Sequence, residues 1–202
     1  MIGDNVPKKV LIAYGSRYGS TAEIARTMAQ TLENEGLEPQ LLDLKQTNQK
    51  QWSSLASYEG LLVGSGIKIG RWTGEATKYL KKHADEIKTL KSKGLVVGVF
   101  VSCGMASTPG QQEEARQKYV KKILDDIGVS DAVDVYEAFG GVYDLSSSAP
   151  MGFLDKRVLS MAAKQMAKDG VNITEGARND LRDWDQIQAF AGHFVQLIKD
   201  GG

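Results

Sequence analysis

The segment Ser16-Arg17-Tyr18-Gly19-Ser20-Thr21 gathers aliphatic hydroxyls, a guanidinium and a glycine directly after a short apolar run, Val10 to Tyr14. From Thr21 onward, Ile24, Ala25, Met28, Ala29 and Leu32 recur at helical spacing. A strand-to-helix junction of this kind presents backbone N–H groups and the positive end of a helix dipole, which together bind anions. The hydroxyls of Ser16, Ser20 and Thr21 can donate to phosphate oxygens, and Gly19 lets the backbone approach without a Cβ in the way. Arg17 can add charge or point to water. The segment has neither the lysine of a P-loop nor the G-x-G-x-x-G of a dinucleotide fold, and Gly64-Ser65-Gly66 mismatches that pattern as well. An ordinary turn with serine and threonine caps has the same composition, so the segment alone leaves both readings open.

The elements needed to hold this loop follow from apolar spacing. Val10 to Tyr14, Leu61 to Gly64 and Leu95 to Val101 are continuous apolar runs of strand length, as required of strands covered on both faces. Leu37 to Leu44 and Val133 to Phe139 are expected as two further strands. Helices are expected from Thr21 to near Gly36, from Glu75 to Leu90, from Gln112 to Ile127 and from Trp184 to Ile198. Strands alternating with helices demand crossover connections, hence an α/β fold: a doubly wound five-stranded parallel sheet with helices on both faces. Either strand order of such a sheet fits the pattern. Between Gly140 and Leu181 the path is far longer than a usual connection. Within it Phe153 to Lys168 has helical spacing, with Phe153, Leu154, Val158, Leu159, Ala162, Ala163 and Met166 apolar and Lys156, Arg157, Lys164 and Lys168 basic.

Composition narrows the function classes. The 202 residues suit one domain, expected over 10–200 with an insertion at about 141–181, after a polar leader at 1–9. Lysine plus arginine and aspartate plus glutamate number 25 each, which gives no reason to expect a nucleic-acid partner. Cys103 is the only cysteine, so the chain holds no internal disulfide and no multi-cysteine metal site, and a reducing cytoplasm is the expected compartment. No apolar stretch reaches the length of a transmembrane segment. His83 and His193 have no ligand pair nearby, so no metal is expected.

The hydroxyl-rich S-x-x-G-x-T loop after the first strand resembles the phosphate loop of the flavodoxin family. That resemblance covers the chain from Val10 to Ile198 apart from the insertion and implies a flavodoxin-like three-layer sandwich binding FMN by its terminal phosphate. It implies further that the loops after strands three and four enclose the isoalloxazine ring. Here these are Ser65-Gly66-Ile67-Lys68-Ile69-Gly70-Arg71-Trp72 and Ser102-Cys103-Gly104-Met105-Ala106. Both follow the carboxyl ends of strands, where open sheets bind ligands.

The chain departs from acidic electron-carrier flavodoxins in its balanced charge and in lacking an aromatic residue in the strand-four loop. It is similar to the quinone-dependent protoporphyrinogen dehydrogenases in Gly64 to Gly70, in the basic insertion from Gly141 to Lys168 and in Asp183-Trp184. A flavin carries its own redox chemistry, so no catalytic triad is required, and no catalytic residue is assigned. Gly66 and Gly70 either flank a peptide that turns with flavin redox state or simply make a tight turn. Trp72 stacks on the ring or packs inside, with Tyr143 as the rival for stacking. Lys68 and Arg71 favour an anionic flavin or an acidic substrate, or are solvated. Cys103 reads as a small core residue. The insertion helix covers a hydrophobic substrate, rests peripherally on a membrane, or completes the core. The expected partner is a redox protein or a small hydrophobic substrate with a quinone.

Overall fold

In a computed structural model, which describes residues 7–201, the apolar runs lie side by side. β1 (Lys9–Gly15), β3 (Gly60–Gly66) and β4 (Val96–Ser102) are buried almost throughout, and β2 (Glu38–Asp43) and β5 (Val135–Phe139) form the edges. All pairings are parallel, in the order β2-β1-β3-β4-β5. Sequence admits two doubly wound orders; the structure selects this one. The expected 1–9 leader falls largely outside the described residues.

Alternation along the strands divides the interior into two cores. Leu11, Ala13, Leu61, Val63, Val97 and Val99 face α2 (Gly74–Lys91) through Ala76, Tyr79, Leu80 and Ile87. Val10, Ile12, Tyr14, Leu62 and Phe100 face α1 (Ser20–Asn34) and the last helix. Each fully buried Leu, Ile or Met on these faces contributes about 1.5–3 kcal/mol over exposure. Such sandwiching explains why the central strands read as unbroken apolar runs.

The expected helix from Gln112 to Ile127 is interrupted. α3 (Gln112–Arg116) passes through a π-helical turn (Gln117–Lys121) into α4 (Lys122–Ile127). The widened turn carries Tyr119, whose carbonyl accepts a hydrogen bond from Trp72 Nε1 at 2.6 Å. Such turns are invisible to a periodicity of 3.6 residues.

Besides the helix expected over 153–168, the insertion has two short strands that the sequence did not announce. β6 (Val142–Asp144) pairs antiparallel with β7 (Arg178–Asp180), enclosing α5 (Phe153–Lys168) between them in the chain. The chain then enters α6 (Trp184–Asp200), capped by the Asp183 side chain on Gln186 N–H at 3.0 Å.

Candidate functional site

The loop after β1 is built to leave donors free. Gly19 occupies the N-cap of α1 with φ 98°, and no side chain caps the helix. Ser16 Oγ accepts from Gly19 N–H at 3.1 Å, which folds the loop back over the helix start. The first-turn amides of α1 therefore face the loop with the positive helix end behind them.

Behind this loop sits a charge network absent from the sequence reading. The Arg182 side chain is only 1% exposed; its Nε donates to Asp180 Oδ1 at 2.7 Å, and a terminal nitrogen donates to the Ser20 carbonyl at 2.9 Å. Arg182 also pairs with Glu23 in the first turn of α1, as does Arg178 at 2.9 Å. Burial pushes Glu23 and Asp180 upward, but the guanidiniums outweigh it and both carboxyls end below their ordinary range. A carboxylate at the start of α1 would otherwise repel an anion; here two guanidiniums neutralise it.

A cavity of about 340 Å³ opens beside the loop, at the carboxyl ends of β1, β3 and β4. Arg17, Tyr18, Ser20 and Thr21 border it from the first loop, Gly66 to Ile69 from the second, and Ser102, Cys103 and Gly104 from the third. The remaining expected residues serve as supports. Ser16 holds Gly19, and Ser65 Oγ, fully buried, accepts from Thr73 N–H at 3.0 Å. Met105 lies in a short helical turn packed against the core. Trp72 is buried and does not border the cavity, because its indole N–H is engaged by Tyr119. Its carbonyl accepts from Arg17 at 3.2 Å, which ties the first and second loops together.

Gly70 and Arg71 also sit off the cavity. Lys68 and Arg71 exchange backbone hydrogen bonds at 3.0 and 3.1 Å, which forces a two-residue turn with Ile69 at φ 49° and Gly70 at φ 68°. Glycine tolerates this conformation; a β-branched isoleucine is strained there. Ile69→Asn is expected to stabilise the fold by about 1 kcal/mol, since the left-handed region costs an ordinary side chain roughly 1–2 kcal/mol and asparagine less. Denaturant unfolding checks this, and an unchanged or lower midpoint would refute the strain.

The insertion completes the cavity wall. Tyr143 on β6 borders it, held by Asn179 of β7, whose side-chain amide donates to the Tyr143 carbonyl at 3.2 Å. A Cβ at residue 104 would overlap the Tyr143 hydroxyl, so Gly104 is what lets the ring lie over the third loop. Burial pushes the Tyr143 phenol up to about 12 and the Cys103 thiol up to about 11, so neither ionises near neutrality and Cys103 is no nucleophile. Pro150, Met151, Val158, Leu159 and Ala162 add an apolar side from the insertion.

One clasp joins this wall to the loops. Asp155 in the first turn of α5 accepts from Lys68 Nζ at 2.5 Å and from the Tyr18 hydroxyl, and Lys68 also donates to Tyr18 at 3.0 Å. Lys68 and then Tyr18 hold Asp155 below the ordinary carboxylate range, while Asp155 and then Tyr18 raise Lys68. The depressed acid contributes above its unfolded pKa of about 4 and is lost as pH falls through the folded value. The raised amine contributes below about 10.4 and is lost as pH climbs through its folded value. Asp155→Asn at neutral pH should therefore speed flavin release several-fold with little change in melting temperature. Identical stopped-flow release rates for parent and variant would remove the clasp from consideration.

These residues fit a phosphate-bearing flavin on a structural ground of their own. Thr21 Oγ1 is buried without a hydrogen-bond partner among the described residues, at the start of the uncapped helix. A Cβ at Gly66 would stand 3.0 Å from it, so glycine is what keeps that side open. Buried hydroxyls are rarely left unpaired, and a phosphate oxygen is the partner this geometry suits. Among the described residues no group of three or more His, Cys, Asp or Glu side chains is placed to hold a metal ion.

A profile of the flavodoxin domain matches residues 11–180. Over 116 residues the chain is 25% identical to the protoporphyrinogen IX dehydrogenase (quinone) of Escherichia coli strain K12, covering 57% of this chain and 60% of that one. The Leishmania major protein of the same description is 24% identical over 197 residues, 94% of this chain and 75% of its own. Among solved structures, rubredoxin oxygen:oxidoreductase of Desulfovibrio gigas superposes on 96% of this chain and 37% of its own, with a TM-score of 0.57 at 19% identity. A WrbA-like flavodoxin of Agrobacterium tumefaciens gives 0.50 at 14% identity, covering 96% and 97% of the two chains. At such identities the superpositions establish the fold.

Proposed function

The chain belongs to the flavodoxin-domain family, an FMN-binding redox family, and from the apolar wall that its insertion adds to the cavity we propose that it is a dehydrogenase rather than a simple electron carrier. In this reading residues 10–200 work as one FMN-binding unit in a reducing cytoplasm, and the 141–181 insertion supplies the substrate wall. The substrate is a hydrophobic hydrogen donor of the porphyrinogen class, as the descriptions of the curated relatives suggest. Each turnover removes two electrons and two protons from it and delivers two of each to a quinone, giving the quinol.

The observation that carries this reading is the apolar side contributed by Met151, Val158, Leu159 and Ala162, joined to the loops by Asp155 on Lys68 and Tyr18. A carrier needs an open flavin edge for protein partners; an enzyme for an apolar substrate needs a walled cavity.

When bound, FMN supplies the two-electron redox chemistry. Around it, the uncapped start of α1 with Ser20 and Thr21 would hold the phosphate, and Gly66 to Ile69 with Ser102 to Gly104 would line the ring. Tyr143 keeps its proton and excludes water from the third loop. Lys68 keeps positive charge beside the second loop through its pairing with Asp155.

The test is anaerobic turnover of the purified FMN-loaded protein with a porphyrinogen and a short-chain quinone, followed by porphyrin fluorescence and quinol formation. Growth of three quinols for each porphyrin, the ratio set by six electrons lost from the porphyrinogen and two taken by each quinone, supports the dehydrogenase. Protein that accepts electrons readily from a reductase but never from the porphyrinogen is a carrier, and the proposal fails.

A further inference from the structure

Four large apolar side chains stand in water, Ile69 at 75% exposure on the cavity border and Phe153 at 78%, Leu154 at 76% and Met161 at 66% on the helix that walls the cavity. Scattered exposed leucines are normal on any protein. These are not scattered. Leu154, Val158 and Met161 recur at the i, i+4, i+7 spacing of one helical stripe, and Ile69 shares the cavity rim with Val158. Ile69 moreover holds its exposed position in a backbone conformation unfavourable to isoleucine, a strain that marks functional sites.

Beside that stripe runs a second one. Arg157, Lys164 and Lys168 follow at i, i+7 and i+11, all exposed, on the solvent side of α5 away from buried Ala163 and Met166. Within Phe153–Lys168 there are the basic residues Lys156, Arg157, Lys164 and Lys168 against the single acid Asp155, a net charge of four minus one, +3. Asp155 is moreover already paired with Lys68. Since the whole chain sums to zero, this helix is a local concentration of positive charge.

We propose that the outer face of α5, with Ile69, docks the protein on an anionic phospholipid surface. Apolar side chains standing in water beside a cationic stripe are the pattern of a helix lying in the plane of a membrane interface. The lysines can rest their alkyl stems on the apolar stripe while their ammonium groups reach lipid phosphates. Charge complementarity selects this occupant over a second copy of the chain, which would bring two +3 helices face to face. Docking in this way turns the cavity rim toward the bilayer. If the dehydrogenase reading holds, that is where an apolar quinone is dissolved; the docking itself does not rest on that reading.

The experiment is vesicle flotation, reading the protein band, with phosphatidylcholine alone and with phosphatidylcholine and phosphatidylglycerol mixed two to one. The full-length protein is expected to partition about tenfold more onto the anionic vesicles at low salt and to be released by high salt. Leu154→Glu with Met161→Glu should abolish flotation, and Arg157→Ser with Lys164→Ser and Lys168→Ser should remove its dependence on phosphatidylglycerol. All five side chains are exposed, and an unchanged melting curve verifies the fold. No preference of the parent for anionic vesicles overturns the proposal. So does unaltered flotation of both variants, or a dimer seen by light scattering that the double variant abolishes. Protein that floats yet never reduces a quinone keeps the docking and loses the dehydrogenase; protein that turns over soluble quinone yet never floats loses the docking alone.

Discussion

Thr21→Val is expected to weaken FMN binding by about 10- to 150-fold, to leave riboflavin binding unchanged, and to make the flavin-free protein more stable. The three effects come from one atom. Thr21 Oγ1 is fully buried and unpartnered among the described residues, so the flavin-free fold carries the cost of a desolvated hydroxyl. Valine fills nearly the same volume without that polar atom, and removing such a group returns about 1–3 kcal/mol. A phosphate oxygen accepting from the hydroxyl makes a charge-assisted hydrogen bond of about 1.5–3 kcal/mol, which sets the range of the expected affinity loss. Riboflavin has the ring but no phosphate and serves as the internal control. Flavin-fluorescence titration and denaturant unfolding measure all three quantities. Equal losses for FMN and riboflavin would make Thr21 a packing residue and move the phosphate elsewhere.

That such a residue can be named from sequence reflects what local patterns encode. The buried runs at β1, β3 and β4 read correctly because both faces of each strand are covered, leaving no polar alternation to confuse them. The loop from Ser16 to Thr21 was legible as a strand-to-helix junction, but small and hydroxylated residues there suit an ordinary capped turn as well as a phosphate, so its composition alone did not decide its use. The strand order was not legible, since the same alternation serves either doubly wound arrangement. The wall of the cavity was harder. β6 and β7 are three residues each, too short for any periodicity, and they meet across more than thirty intervening residues. Tyr143 came to the cavity only through that pairing. Trp72 shows the opposite limit, because an aromatic next to a presumed ligand loop looks the same in sequence whether it faces the ligand or the core. Its buried position follows from the π-helical turn that brings the Tyr119 carbonyl to its indole N–H, a contact between distant elements.

The same limit hid Arg182, an arginine among aspartates with nothing local to mark it. Its replacement carries the largest expected stability effect. Arg182→Met fills the space but leaves Glu23 and Asp180 without their buried partner and the Ser20 carbonyl without its donor. Breaking a fully buried pair costs about 3–5 kcal/mol; because Glu23 is 39% and Asp180 29% exposed, about 2–4 kcal/mol is expected. For a chain of this size that is a fall in melting temperature of about 5–15 °C. FMN affinity should fall as well, since the Glu23 carboxylate at the start of α1 then keeps only Arg178 to offset its charge. The dependence on pH separates this from a packing defect. Glu23 and Asp180 sit below their ordinary range in the parent, so the network stabilises above the unfolded carboxylate pKa of about 4 and fades as pH falls through the folded values. The gap between parent and variant should accordingly be widest near neutrality and close toward acid, where the orphaned carboxylates protonate. Arg182→Lys should recover only part of it, because a single ammonium cannot span Asp180, Glu23 and the Ser20 carbonyl together. A loss of stability that stays constant from acid to neutral pH, and is equal in the methionine and lysine variants, would mean that Arg182 acts by its bulk alone and that Glu23 is held by Arg178.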